Sequence, residues 1–323
     1  MSVQRNAWRS SQRGLSGCGR DIIGALCGAA LLLPPSTAGA GENLFGYAYL
    51  TDTQPRGKWE LEQWYWGRYG KERGRYANAL YRTELEYGVT DNYQISVYTN
   101  ERHVYANKNN RDGTTGGEDL PENVAGDKAF NRLSWEGISV ENIYRLWSPY
   151  KDPIGVAVYF EPEFGPHEVE LEHRLMLQKN FLEDRLVTVL NFWWALAWDQ
   201  ETGGTETDDG AGLTERRWKK ESQFELDTAM SYRFAPHWWA GLESRIHNNI
   251  GSFNPRDIEH AAFFVGPNVH YAAKQWWATA TALFQLPFAA GYNDEQKAAI
   301  KDGRIFGDEH EAVELRVKFG WVF

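Results

Sequence analysis

After Gly57, apolar and polar side chains alternate with a period of two, the spacing of an extended chain whose two faces differ. The pattern predicts twelve strands, at 58–69, 77–88, 93–105, 133–146, 154–164, 168–181, 185–198, 218–234, 238–248, 260–272, 276–286 and 310–323. Most exceed the usual strand length of soluble proteins and can cross a bilayer at a tilt. In the last, Val313, Leu315, Val317, Phe319, Trp321 and Phe323 share one face, and Glu314, Arg316 and Lys318 share the other. The seventh sets Leu186, Thr188, Leu190, Phe192, Trp194, Leu196 and Trp198 together, and the eighth opposes Phe224, Leu226, Thr228, Met230 and Tyr232 to Glu225, Asp227 and Arg233. Tight connections at 89–92, 149–153, 182–184, 235–237 and 273–275 alternate with mostly longer polar segments at 106–132, 199–217, 249–259 and 287–309. The short link Gly165-Pro166-His167 interrupts that rule.

Short turns on one rim and long loops on the other predict a transmembrane antiparallel up-and-down β-barrel of about twelve strands, with short turns and termini periplasmic. Closure removes the exposed edges that so many two-faced strands would otherwise present. Tyr87, Tyr93, Trp238 and Trp276 flank the short turns; with Trp198, Trp321 and Phe323 they are the candidate aromatics of the membrane girdle. A terminal strand ending in Phe323 resembles the signal by which bacterial barrels engage their assembly machinery, so that machinery and outer-membrane lipid are the expected partners. A soluble sandwich is the alternative, and it would turn the charged faces outward.

Residues 1–40 read as a leader. Arg5, Arg9, Arg13 and Arg20 precede an apolar run from Ile22 to Leu33 that is too short to span a bilayer, and Ala38-Gly39-Ala40 offers a cleavage site after Ala40. Cys27 does not make this a lipoprotein signal, because Leu26 is bulky and most of the apolar stretch follows the cysteine. Cleavage would remove four Arg and one Asp, leaving a chain more acidic than the −10 of the full sequence, with no basic patch for nucleic acid. It would also remove Cys18 and Cys27, both of the cysteines, and with them any disulfide or thiolate chemistry. Aromatic residues make up 15% of the chain, yet beyond residue 40 no apolar run approaches a membrane helix. Residues 41–57 stay open between a lumen plug, a periplasmic arm and an extra strand, and 58–323 form the barrel.

Gly46-Tyr47-Ala48-Tyr49, then Gly57-Lys58-Trp59-Glu60-Leu61-Glu62-Gln63-Trp64 and Thr83-Glu84-Leu85-Glu86-Tyr87-Gly88-Val89-Thr90-Asp91, resemble an uncharacterised family of proteobacterial outer-membrane barrels. The hairpin ending at Asp91 is distantly similar to barrels named after a MetA pathway of phenol degradation. The resemblance covers about residues 44–100; it implies location in the outer membrane of a Gram-negative bacterium and a barrel fold, and carries over no functional residue.

The alternation directs Glu60, Glu62, Arg82, Glu84, Glu86, Glu172, Arg174, Glu225, Asp227, Glu243, Arg245, Glu314, Arg316 and Lys318 into the lumen, with Arg68, Glu161, Glu163, Glu170 and Arg233. Acids outnumber bases, so a water-filled pore would favour cations or neutral polar solutes. The competing expectation is that these groups pair across strands and fill a narrow barrel. Inward Trp64, Trp66, Trp193 and Trp277 either stack a solute or fill space. Gln63, Asn142 and His173 fall on the lipid face, where they are least at home. Catalysis is not expected: His173 and Ser244 lie three strands apart, acidic pairs such as Glu170 and Glu172 are generic, and no histidines have metal-ligand spacing. No cofactor and no metal are expected. The leading function is a passive channel for a small-molecule solute, and the rival is a structural or adhesive barrel working through its loops.

Overall fold

The computed structural model describes residues 43–70, 74–107, 129–205, 213–287, 290–291 and 310–323. The expected leader, its cleavage site, most of the connections at 106–132 and 287–309 and the middle of that at 199–217 lie outside them. The strands are β1 (Trp59–Tyr69), β2 (Arg75–Thr90), β3 (Tyr93–Asn107), β4 (Phe130–Trp147), β5 (Gly155–Phe164), β6 (Glu168–Phe181), β7 (Leu186–Thr205), β8 (Leu213–Ala235), β9 (Trp238–Ile250), β10 (Ile258–Ala272), β11 (Trp276–Gln285), β12 (Ala290–Gly291) and β13 (Val313–Val322). Each long strand pairs antiparallel with the next; β12 is a two-residue extension against β10. β13 pairs with both β11 and β1, so the sheet closes as a twelve-stranded barrel without a free edge. Among the described residues no helix is long and apolar enough to cross a membrane.

Closure turns the period of two into an inside and an outside. Leu61, Leu85 and Val97 are 41%, 41% and 48% exposed, whereas Glu60, Glu84 and Ser96 on the same strands are at most 1% exposed. The exposed face carries large apolar groups all round, among them Phe160, Leu175, Trp194, Leu242, Phe284 and Phe319. A polar interior within an apolar belt is the polarity of a membrane barrel, the reverse of a soluble sandwich.

At the short-turn rim the belt ends in aromatic pairs. Trp59 and Tyr87 stand 4.5 Å apart, Trp238 and Tyr271 4.8 Å, and Tyr271 and Trp276 5.0 Å. Phe323 extends the closing ladder, exchanging backbone hydrogen bonds with Trp59. Trp198 lies towards the opposite rim, against Phe253 at 5.0 Å.

Polar residues on the outer face find partners close by, which lowers the cost of leaving water. Tyr93 donates its hydroxyl to Asn142 at 2.8 Å, and Thr228 and Ser244 share a hydrogen bond of 2.6 Å. The His173 ring packs 5.2 Å from Phe160, and Gln63 donates to the Glu62 carbonyl.

Register shifts near strand ends occur at Gly88/Thr90, Arg145/Trp147, Arg233/Ala235 and Ile258/His260, and another falls within the wall. Between β3 and β4 the register steps from Asn100–Gly137 to Glu101–Trp135, leaving Glu136 as an extra residue. Upstream, Leu133 and Trp135 face out; downstream, Ile138 and Tyr144 do.

Candidate functional site: a lumen closed by the N-terminal segment

Residues 43–56 lie inside the barrel, as their partners on strands all round the wall require. Asn43 donates to Glu62 on β1 at 2.7 Å, and Asn268 on β10 donates to the Leu44 carbonyl at 2.9 Å. Glu243 on β9 accepts the backbone N–H groups of Gly46, Tyr47 and Ala48 at 2.7, 2.9 and 3.3 Å. Asn191 on β7 both accepts from the Tyr49 N–H and donates to its carbonyl. Gln178 on β6 accepts from Thr51, and Gln94 on β3 accepts from the Gln54 N–H. An irregular segment cannot satisfy its own backbone, so inward carboxylate and amide side chains supply the missing partners.

The Gly46-Tyr47-Ala48-Tyr49 motif fills the middle of the lumen. A Cβ on Gly46 would come within 2.7 Å of Thr281, so the segment approaches β11 too closely for any other residue. Tyr47 and Tyr49 are each at most 5% exposed, and burial raises both phenolic pKa values. Arg316 stacks 4.1 Å from the Tyr47 ring and Arg174 4.4 Å from Tyr49. Burial likewise pushes the Asp52 carboxyl above the usual carboxylate range, with Arg145 at 3.5 Å opposing the shift.

On the long-loop side of this segment is a cup of about 290 Å³ floored by Tyr47 and Tyr49. Arg82, Glu172, Arg174, Glu225, Arg245, Glu314 and Arg316 line it, joined by Glu163, Glu168, Glu170, Trp193 and His247. Arg245 binds Glu314 with two hydrogen bonds, 2.7 and 3.0 Å, and also pairs with Glu225, which His247 meets as well. Arg174 pairs with Asp227 at 3.4 Å. On the other side of the segment lie Glu60, Glu62, Glu84 and Glu86, each at most 3% exposed, and Lys318, fully buried 3.6 Å over the Trp64 ring.

The inward charges form the expected opposite-sign ladder in part: Asp227 directly opposes Arg245 and Arg68 opposes Glu314, while other positions set acid against acid. Directly opposed residues include Glu60 and Glu86, Glu62 and Glu84, Glu161 and Glu172, and Glu163 and Glu170, all acid against acid. Such neighbours repel. Glu225 bonds the directly opposed His247, while Arg245 pairs diagonally with Glu225 and across the lumen with Glu314. Three of the four inward tryptophans are not open platforms: cations cover Trp64 and Trp66, and Trp277 donates its indole N–H to Glu60 at 2.6 Å, whereas Trp193 lines the cup and donates to Glu172 at 2.8 Å.

Sequence reasoning passed over the amides that hold the segment, Asn191, Gln178, Gln94 and Asn268. Their signal was present, because each is a polar residue in the inward phase of a long strand. Glu141, 1% exposed, was also passed over.

The fold and interior define a transmembrane β-barrel of the outer-membrane type whose lumen is occupied by its own N-terminal segment. The chain belongs to the DUF6662 family, a family of unknown function, which it matches over residues 37–323. No curated protein resembles it closely enough to count as a relative. Among solved structures it is similar to an outer membrane channel from Pseudomonas putida F1, with a TM-score of 0.51 and 9% identity over 86% of this chain and 98% of that one. The KdgM porin gives 0.44 and 10% over 82% and 99%. The translocator domain of the autotransporter NalP from Neisseria meningitidis gives 0.47 and 10% over 82% and 88%. At these identities the likeness is one of fold.

Proposed function

We propose that the protein is a passive channel of the Gram-negative outer membrane, exported by a leader cut after Ala40 and closed at rest by residues 43–56. The observation that carries this reading is the cup of about 290 Å³ that ends on a segment held by hydrogen bonds to polar side chains and by apolar packing of Leu44, Phe45, Tyr47, Ala48 and Tyr49 against the wall. The hydrogen bonds can exchange for water when the segment moves aside, so the cost of opening falls chiefly on its apolar contacts. A small polar solute entering from the long-loop side would meet the cup wall first. When ion-paired groups are set aside, Glu163, Glu168, Glu170 and Glu172 remain there against Arg82 and Arg316, which supports a preference for cations or neutral polar solutes. The distant resemblance to MetA-pathway barrels adds no substrate.

The rival, a structural or adhesive barrel acting through its loops, draws support from the occupied lumen. Conductance in planar bilayers separates the two. The intact barrel is expected to conduct weakly or in brief openings, and a variant lacking residues 43–56 to conduct steadily. Silence from both, with normal assembly in each, would favour the rival.

A further inference from the structure

We propose that the short-turn half of the lumen holds a hard divalent cation of the calcium class between Glu84, Glu86 and Glu141. One carboxylate oxygen from each can be chosen so that all three lie within 4.8 Å of one another. Calcium binds oxygen at about 2.3–2.6 Å, so ligands across it stand roughly 5 Å apart or less. All three residues are at most 3% exposed. Three buried carboxylates at this separation require protons or a cation.

Independent features separate this group from an ordinary acidic cluster. Ser96 is the direct cross-strand partner of both Glu86 and Glu141, and its hydroxyl, 1% exposed, is directed at Glu84. One Glu84 oxygen and one Glu141 oxygen are equally buried and unsatisfied. Between the wall and the plug lies a cavity of about 10 Å³, lined by Glu84, Glu86, Glu141, Gln94 and Tyr49. That is room for about one water-sized species. The neighbouring trio of Glu60, Glu62 and Glu86 differs: Trp277 and Gln54 satisfy Glu60, and Asn43 and Trp64 satisfy Glu62. Lys318 makes no hydrogen bond to any of these acids and rests on Trp64. All the available donors are oxygens, which suits calcium or magnesium rather than a softer metal.

The ion would also reach the plug. Gln94 donates to Glu86 and accepts the Gln54 N–H, so it joins the proposed site to residues 43–56. The experiment is calorimetric titration of the purified full-length barrel with calcium chloride after chelation, with thermal unfolding followed in calcium and in EDTA. One saturable calcium per barrel is expected, with a higher unfolding midpoint in calcium. Glu84→Gln with Glu141→Gln should weaken that binding at least about tenfold and abolish the shift. Ser96→Ala, a milder change, should weaken binding while the barrel still assembles. No saturable uptake by the wild type, or affinity unchanged in Ser96→Ala or in the double variant, overturns the proposal. Neither readout depends on conductance, so its failure is distinct from failure of the channel reading.

Discussion

Facing decides what a single side chain can become. Leu175 points to lipid from the middle of β6, and Gln223 points into the cup from β8. Leu175→Arg is therefore expected to cost roughly 2–4 kcal/mol, the penalty for a guanidinium near the bilayer midplane, while Gln223→Arg costs far less. Urea unfolding in lipid vesicles measures both, and equal losses would contradict the facing. Facing was largely legible in the sequence because alternation runs unbroken through β1 and β13 and through β2 and β8 up to the irregularities at their short-turn ends. It was less legible in β4, where the bulge at Glu136 shifts the phase and sets Glu141 inward beside residues that follow a different count. No local pattern announces such a bulge, since its cause is the pairing with β3.

At the level of elements, the strands could be read from sequence and the plug could not. Most predicted strands lie within a few residues of the observed ones because length, period and turn residues all act locally. Residues 43–56 have no period, and their conformation comes from partners far along the chain, such as Glu243. Glu243 gathers three backbone N–H groups and the Thr281 hydroxyl on one carboxylate. Hydrogen bonds to a charged group contribute about 1.5–3 kcal/mol, so this residue is the principal anchor of the plug. Glu243→Gln keeps the size but replaces one acceptor oxygen with a donor facing backbone donors. The variant should assemble normally yet open more often in single-channel recordings, and its Tyr47 should become more accessible to iodination. Unchanged opening and unchanged labelling would place the anchor at Asn191 or Gln178 instead.

For the whole molecule, the distribution of charge matters more than its total. The excess of acids among the inward residues suggested a lumen with a negative field, but much of that charge lies beyond the plug or in ion pairs. What a permeating ion would meet first is the wall of β5 and β6, where Glu163 opposes Glu170 across the strand pair. Once residues 43–56 are removed, these acids line an open path, and their field acts on ions within a Debye length, ~30 Å at 0.01 M salt and ~10 Å at 0.1 M. The deletion variant should therefore show a reversal potential favouring cations that declines as salt rises. Adding Glu163→Lys and Glu170→Lys should move that potential towards anions. The same exchange at Glu225 would be a poor test, because it would break the contacts to Arg245 and His247 and strand charges in a buried network. A reversal potential that ignores both the salt gradient and the two lysines would mean that ions bypass this wall. Selectivity would then have to arise from Arg82 and Arg316 on the facing side of the cup.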